Sequence, residues 1–211
     1  MNVCDGAPVV IEPNGNHRSS LIWLHGLGET TNFWSDVFDI QRLRGMKIIL
    51  PQSKKRFGSL GMIPAWFEGH GIVDKPGREN ESEINEVCSY IHGLIEREIA
   101  TGIQGTKVIV GGFGSGAALA LYAGLTFPVT LGGIVVTKGW IIRREALSLR
   151  PAINRTTPIF NSRGTEDPKI NPTDAIEYDL NLQTEDLTEP SCTGVTKLDA
   201  THAFINSCLH D

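Results

Sequence analysis

The sequence predicts a three-layer α/β fold, a mainly parallel central sheet with helices on both faces, in a single domain over residues 1–211. Three observations carry this expectation. Short β-branched runs bounded by Gly, Pro and Asn alternate with helical patterns. The runs are continuously apolar rather than alternating, as in strands covered on both faces. A helix that is apolar nearly all round follows a glycine-rich turn, which places it at the centre of the fold.

The strands begin with Val9-Val10-Ile11 and Leu21-Ile22-Trp23-Leu24, the second running into His25-Gly26-Leu27-Gly28. Met46–Leu50 is closed by Pro51, and Lys107–Gly111, Leu131–Val136, Thr157–Asn161 and Thr193–Leu198 complete the set. A cover helix is expected from Asn80, which has capping-box spacing to Glu83; Ile84, Val87, Cys88, Ile91, Leu94, Ile95 and Ile99 form its stripe and Gly102 ends it. The buried helix is Ala117–Leu125. Pro51–Gly77, rich in Gly and Pro, reads as a long functional loop, and Glu185–Glu189 as a solvated face or loop.

Composition excludes several classes. The balance of 19 basic against 24 acidic residues leaves a net charge of −5, and only Lys54-Lys55-Arg56 clusters positive charge, so no nucleic-acid partner is expected. The apolar runs fall short of a membrane span, and Met1–Ser20 lacks the apolar core of a signal peptide, so the chain is expected to be soluble and cytoplasmic. Cys4, Cys88, Cys192 and Cys208 are irregularly spaced and read as reduced thiols, with neither a disulfide framework nor a metal site.

The chemistry concentrates in Val108-Ile109-Val110-Gly111-Gly112-Phe113-Gly114-Ser115-Gly116. Gly112, Gly114 and Ala117 satisfy a dinucleotide fingerprint, but that reading needs an acid after the next strand, and Val135-Val136-Thr137-Lys138-Gly139 offers none. The same turn fits the nucleophile elbow G-x-S-x-G of α/β-hydrolases. Gly112 and Gly116 are then the small flanking residues, and the nucleophile position is Gly114. Centring the motif on Ser115 instead puts Phe113 and Ala117 at the small positions, a sterically poorer register.

Asp167 and His202 follow in the order nucleophile, acid, base, each expected after a late strand. The His would take the nucleophile's proton, and the Asp would orient the imidazole. Glu166 and Asp199 are alternative acids, Asp199 being close to His202 in sequence. Cys192 and Cys208 are distant substitutes for the nucleophile. Leu27 and Ser115 would donate backbone N–H groups to an oxyanion.

These residues resemble the acyl-protein thioesterases, a phospholipase/carboxylesterase group of α/β-hydrolases. The likeness spans about residues 7–206 and rests on Leu24-His25-Gly26-Leu27-Gly28-Glu29-Thr30, Pro64-Ala65-Trp66-Phe67-Glu68, the turn at 111–116, Gly164 with Asp167-Pro168, and His202. It implies an acyl ester, acyl thioester or lipidated protein or peptide as substrate or ligand, without cofactor or metal, and it is compatible with a homodimer. It also implies that the catalytic serine falls on Gly114, the acid on Asp167, the base on His202, the oxyanion donors on Leu27 and Ser115, and the acyl-channel loop on Trp66 and Phe67. Arg163 and Thr165 depart from the family's pattern, and the last helix is expected to be shortened. The expectation is a folded homologue with impaired or absent triad catalysis; active hydrolysis through Ser115 with His202 and Asp167 is the alternative.

Overall fold

The computed structural model describes residues 4–40, 43–58, 61–68, 80–148, 153–154, 156–164, 182–187 and 198–209. Strands β1 (Val9–Ile11), β2 (Asn14–Leu24) and β3 (Arg44–Leu50) surround helix α1 (Thr31–Ile40) in sequence. A hairpin, β4 (Lys55–Gly58) and β5 (Gly61–Pro64), precedes α2 (Glu81–Ala100). Then come β6 (Val108–Phe113), α3 (Ser115–Thr126), β7 (Gly133–Thr137), α4 (Arg144–Ser148), β8 (Ile159–Gly164), β9 (Leu182–Leu187) and α5 (Leu198–Leu209).

Among the described residues seven strands form one sheet in the order β1-β3-β2-β6-β7-β8-β9. Of these, β1 is antiparallel to its neighbour, and the other pairings, from β3–β2 to β8–β9, are parallel. The fold is that of an α/β-hydrolase: a mostly parallel sheet between helical layers. Parallel strands need both faces covered, and β2 shows how the sequence meets this. Leu21 and Trp23 join a cluster with Trp34 and Phe38 of α1 and Phe204 and Ile205 of α5. Ile22 and Leu24 point the other way, into a cluster with α2 and α3.

Helix α2 starts and stops as its sequence predicts. The Asn80 side chain accepts from the Glu83 N–H at 3.3 Å, and Gly102 takes a left-handed φ of 101° just past its end. The Glu83 carboxylate does not complete the capping box. It binds Arg56 and the Glu68 N–H instead, fastening the helix to the hairpin and the segment after it.

Four expectations are corrected. Thr193–Leu198 is not a strand up to its end, because Leu198 opens helix α5; residues 193–197 lie outside the described residues. Part of Glu185–Glu189 belongs to a strand, because Leu182–Leu187 pairs in parallel with β8. The Pro51–Gly77 loop contains the β4–β5 hairpin, its residues 59–60 and 69–77 being outside the description. Helix α1 has no counterpart among the expected elements, although Trp34, Val37 and Phe38 make a buried i, i+3, i+4 stripe. Among the described residues no helix is long and apolar enough to cross a membrane.

Candidate active site

Parallel strands β2, β3, β6 and β7 all end at one edge of the sheet, and the sequence-predicted turn lies there. Gly114 sits between β6 and α3 with φ 55° and ψ −121°, and its N–H donates to the Thr137 carbonyl of β7 at 2.9 Å. This is a backbone conformation that side-chain-bearing residues rarely adopt.

The flanking glycines are sterically required. A Cβ on Gly116 would lie 2.3 Å from the Leu24 carbonyl oxygen and 2.4 Å from that of His25. One on Gly112 would lie 2.6 Å from both the Gly116 carbonyl carbon and the Leu24 carbonyl oxygen. A Cβ on Gly114 would meet only the Gly26 Cα, at 3.9 Å. The pair that must be small is therefore 112 and 116, and the position between them with room for a side chain is 114. Ser115 starts α3, 2% exposed, and its hydroxyl has no hydrogen-bond partner. Its N–H lies in the first turn of the helix, where donors have no intrahelical acceptor.

The loop after β2 is held by a network that the sequence motif did not reveal. The buried His25 imidazole donates from Nδ1 to the Gly26 carbonyl at 2.7 Å, and its Nε2 accepts from the Ser53 N–H and from Gln52 Nε2. Gln52 Oε1 accepts from the Thr31 N–H, so the chain of donors assigns the neutral Nδ1–H tautomer. Burial pushes the imidazole down to about 4, against the smaller opposing effect of the Gly26 hydrogen bond. The Gly26 N–H and Trp34 Nε1 both donate to Glu29 Oε2, and the Gly28 N–H donates to the Pro64 carbonyl. Between these two bonded amides, the N–H of Leu27 has no acceptor among the described residues.

Trp66 and Phe67 are 1% and 0% exposed. Trp66 donates from Nε1 to the His25 carbonyl at 2.7 Å, and its ring lies 4.8 Å from the imidazole. In the structure Trp66 acts as an anchor that ties the segment after the hairpin to the glycine loop.

His202 lies in the second turn of α5, half-buried, and makes no hydrogen bond to Ser115, whose hydroxyl has no partner. Burial lowers its pKa, and the charge of Asp199 one turn earlier opposes that. Asp167, Glu166 and Cys192 lie outside the described residues. Cys208 is near the far end of α5, and Cys4, Cys88 and Cys208 are not joined in disulfides. Among the described residues no group of His, Cys, Asp and Glu could hold a metal. Lys138, which follows β7 with φ 52°, places its ammonium 5.8 Å from the centre of the Phe113 ring, beside the turn. The glycine motif does not contain this cation, which comes beside the turn because its neighbour Thr137 pairs with Phe113 in the β6–β7 register.

Residues 5–205 match the family model described as phospholipase/carboxylesterase. The chain belongs to that family. It is 32% identical over 194 residues to acyl-protein thioesterase 1 of Neurospora crassa, covering 85% of this chain and 77% of that protein. To acyl-protein thioesterase 1 of Schizosaccharomyces pombe it is 33% identical over 167 residues, covering 77% of this chain and 74% of the relative. Among solved structures, SOBER1 of Arabidopsis thaliana superposes with a TM-score of 0.80 at 24% identity, over 91% of this chain and 99% of that one. Zea mays acyl-protein thioesterase 2 does so with a TM-score of 0.75 at 21% identity, over 97% and 100%. The protein is thus an acyl-protein thioesterase-like member of that hydrolase family.

Proposed function

We propose that this family member recognises an acyl ester, an acyl thioester or a lipidated protein or peptide without hydrolysing it by a serine triad. The observation that carries the reading is Gly114, which occupies the turn where a nucleophile would stand, with space for a side chain and none present. The likeness to acyl-protein thioesterases supports the acyl class of ligand. In the proposed site the N–H groups of Leu27 and Ser115 polarise the acyl carbonyl, and His202 with Asp167 forms the inherited base and acid. Trp66 and Phe67 back the acyl-binding loop.

Hydrogen-bond donors alone leave little chemistry. Loss of a nucleophile that acts as a unit with its base removes about a million-fold in turnover, equivalent to roughly 8 kcal/mol of barrier. Two observations speak against Ser115 as its replacement: its hydroxyl has no hydrogen-bond partner among the described residues, and the residue begins a helix instead of occupying the tip of the turn.

Incubation with a fluorophosphonate followed by intact-mass measurement and peptide mapping tests this directly. The wild-type chain is expected to remain unmodified, and Gly114→Ser to acquire one adduct at position 114 that disappears when His202→Ala is added. An adduct on Ser115 of the wild type that depends on His202 would establish an active hydrolase. A folded Gly114→Ser variant that is never labelled would overturn the nucleophile assignment.

A further inference from the structure

At the opposite edge of the sheet, where β2, β3 and β6 begin, a depression of about 330 Å³ brings together Arg18, Arg44 and Lys107. The chain as a whole is negative, at −5, yet among the described residues no acidic side chain lines this cavity. Leu43, Met46 and Leu209 add apolar lining, and Ser19 and Asn206 add a hydroxyl and an amide.

The strand pairing explains why the two arginines converge. Asn14 is opposite Arg44 and Ser19 is opposite Met46, so β2 advances five residues while β3 advances two. The extra length of β2 carries Arg18 over Gly45, which has φ 75°. A Cβ on Gly45 would lie 2.9 Å from the Asn16 carbonyl oxygen and 3.4 Å from Arg18 Cγ, so the missing side chain lets the Arg18 stem pack beside Arg44. Lys107 is held in place by donating from Nζ to the Leu209 carbonyl at 2.8 Å, at the end of α5. Neither Arg18 nor Arg44 takes part in an ion pair among the described residues, whereas the nearby Lys47 is already neutralised by Glu98 at 2.7 Å.

We propose that this cavity is a binding site for a phosphate monoester group. Guanidinium groups present planar forks of donors that match phosphate oxygens. A phosphate monoester carries about −1.5 to −2 at neutral pH, a better match for the Arg18 and Arg44 guanidinium pair than a single carboxylate. The apolar lining of Leu43, Met46 and Leu209 accepts the organic part next to the phosphate. The site is separate from the turn at Gly114, because the six residues of β6 span about 20 Å between the two edges of the sheet.

Isothermal titration of the full chain with inorganic phosphate, against chloride at matched ionic strength, tests the proposal. A parallel arm measures cosedimentation with phosphatidylcholine vesicles with and without phosphatidic acid, which distinguishes a free phosphate from a lipid-borne one. Saturable one-to-one phosphate binding, or vesicle binding that requires phosphatidic acid, is expected. Arg18→Ala and Arg44→Ala should each weaken it about tenfold, the size of a lost charged hydrogen bond. Both side chains are exposed, and circular dichroism verifies that the variants fold. Absence of both kinds of binding, or binding that is unchanged in the Arg18→Ala, Arg44→Ala double variant, would overturn the site.

Discussion

His25 carries a pH dependence that belongs to a single residue. Its neutral imidazole is buried at 1% exposure and accepts a hydrogen bond from the Ser53 amide, a role that protonation of Nε2 would abolish. Burial holds the folded pKa near 4, against 6.5 for the free group. Above pH 6.5 neither folded nor unfolded chain protonates it. Between 6.5 and 4 the unfolded chain binds a proton that the folded chain refuses, so stability falls as pH falls through this window. The loss amounts to about 3 kcal/mol. Urea unfolding across this range should show the wild type declining by that much more than His25→Gln; parallel declines would show that the imidazole is not held neutral. The first motif, Leu24–Thr30, marked this loop in the sequence. The residues that make it rigid could not be read from it, since Gln52, Ser53 and Trp66 lie 27, 28 and 41 positions away from His25. For Gly114 the reverse is true: a strand, two glycines two residues to either side and a buried helix are all local, and the turn was legible.

At the scale of elements, the close approach of α3 to β2 is what makes this turn. Gly116 lies against the backbone oxygens of Leu24 and His25, which cannot yield as the end of a side chain can. Gly116→Ala must therefore displace the start of α3 from β2, with an expected loss of about 3 kcal/mol in chemical denaturation. Gly114→Ala meets no such obstacle, since its Cβ has only an ordinary contact at 3.9 Å. Its loss is confined to the left-handed backbone, about 1–2 kcal/mol. If the two losses came out in the opposite order, the small positions of the turn would be wrongly placed. The elements themselves were legible wherever the apolar pattern was strong, as in β2, α2 and α3. They were not where the pattern gives way to polar residues: Glu185–Glu189 reads as a solvated face or loop, yet its first residues belong to β9, the outer strand of the sheet among the described residues. The error at Leu198 has another cause. Its short apolar run permits either strand or helix by periodicity, and the helix is stabilised by packing Phe204 against Phe160 at 5.3 Å, a contact across 44 residues that no local pattern contains.

Across the whole molecule, the parallel sheet separates two chemistries. Glycines and backbone donors gather where β2, β6 and β7 end, and cations gather where β2, β3 and β6 begin. The polarity follows from the strands running the same way, so that every crossover returns the chain to the starting edge before the next strand. The sequence showed the first edge because its motif is contiguous. It concealed the second, whose Arg18, Arg44 and Lys107 are scattered and become neighbours only through the β2–β3 register. Substitutions at the two edges share no partners: a side chain at position 114 would approach Gly26, whereas the stem of Arg18 lies over Gly45, next to Arg44 in sequence. Sites this far apart normally contribute independently, within about 0.5 kcal/mol. The unfolding free energy lost in the Gly114→Ser, Arg44→Ala double variant should therefore equal the sum of the single losses within that margin. A larger coupling, measured by urea unfolding of all four proteins, would mean that the sheet passes strain from the turn to its opposite edge, and the two edges would then have to be treated as one site.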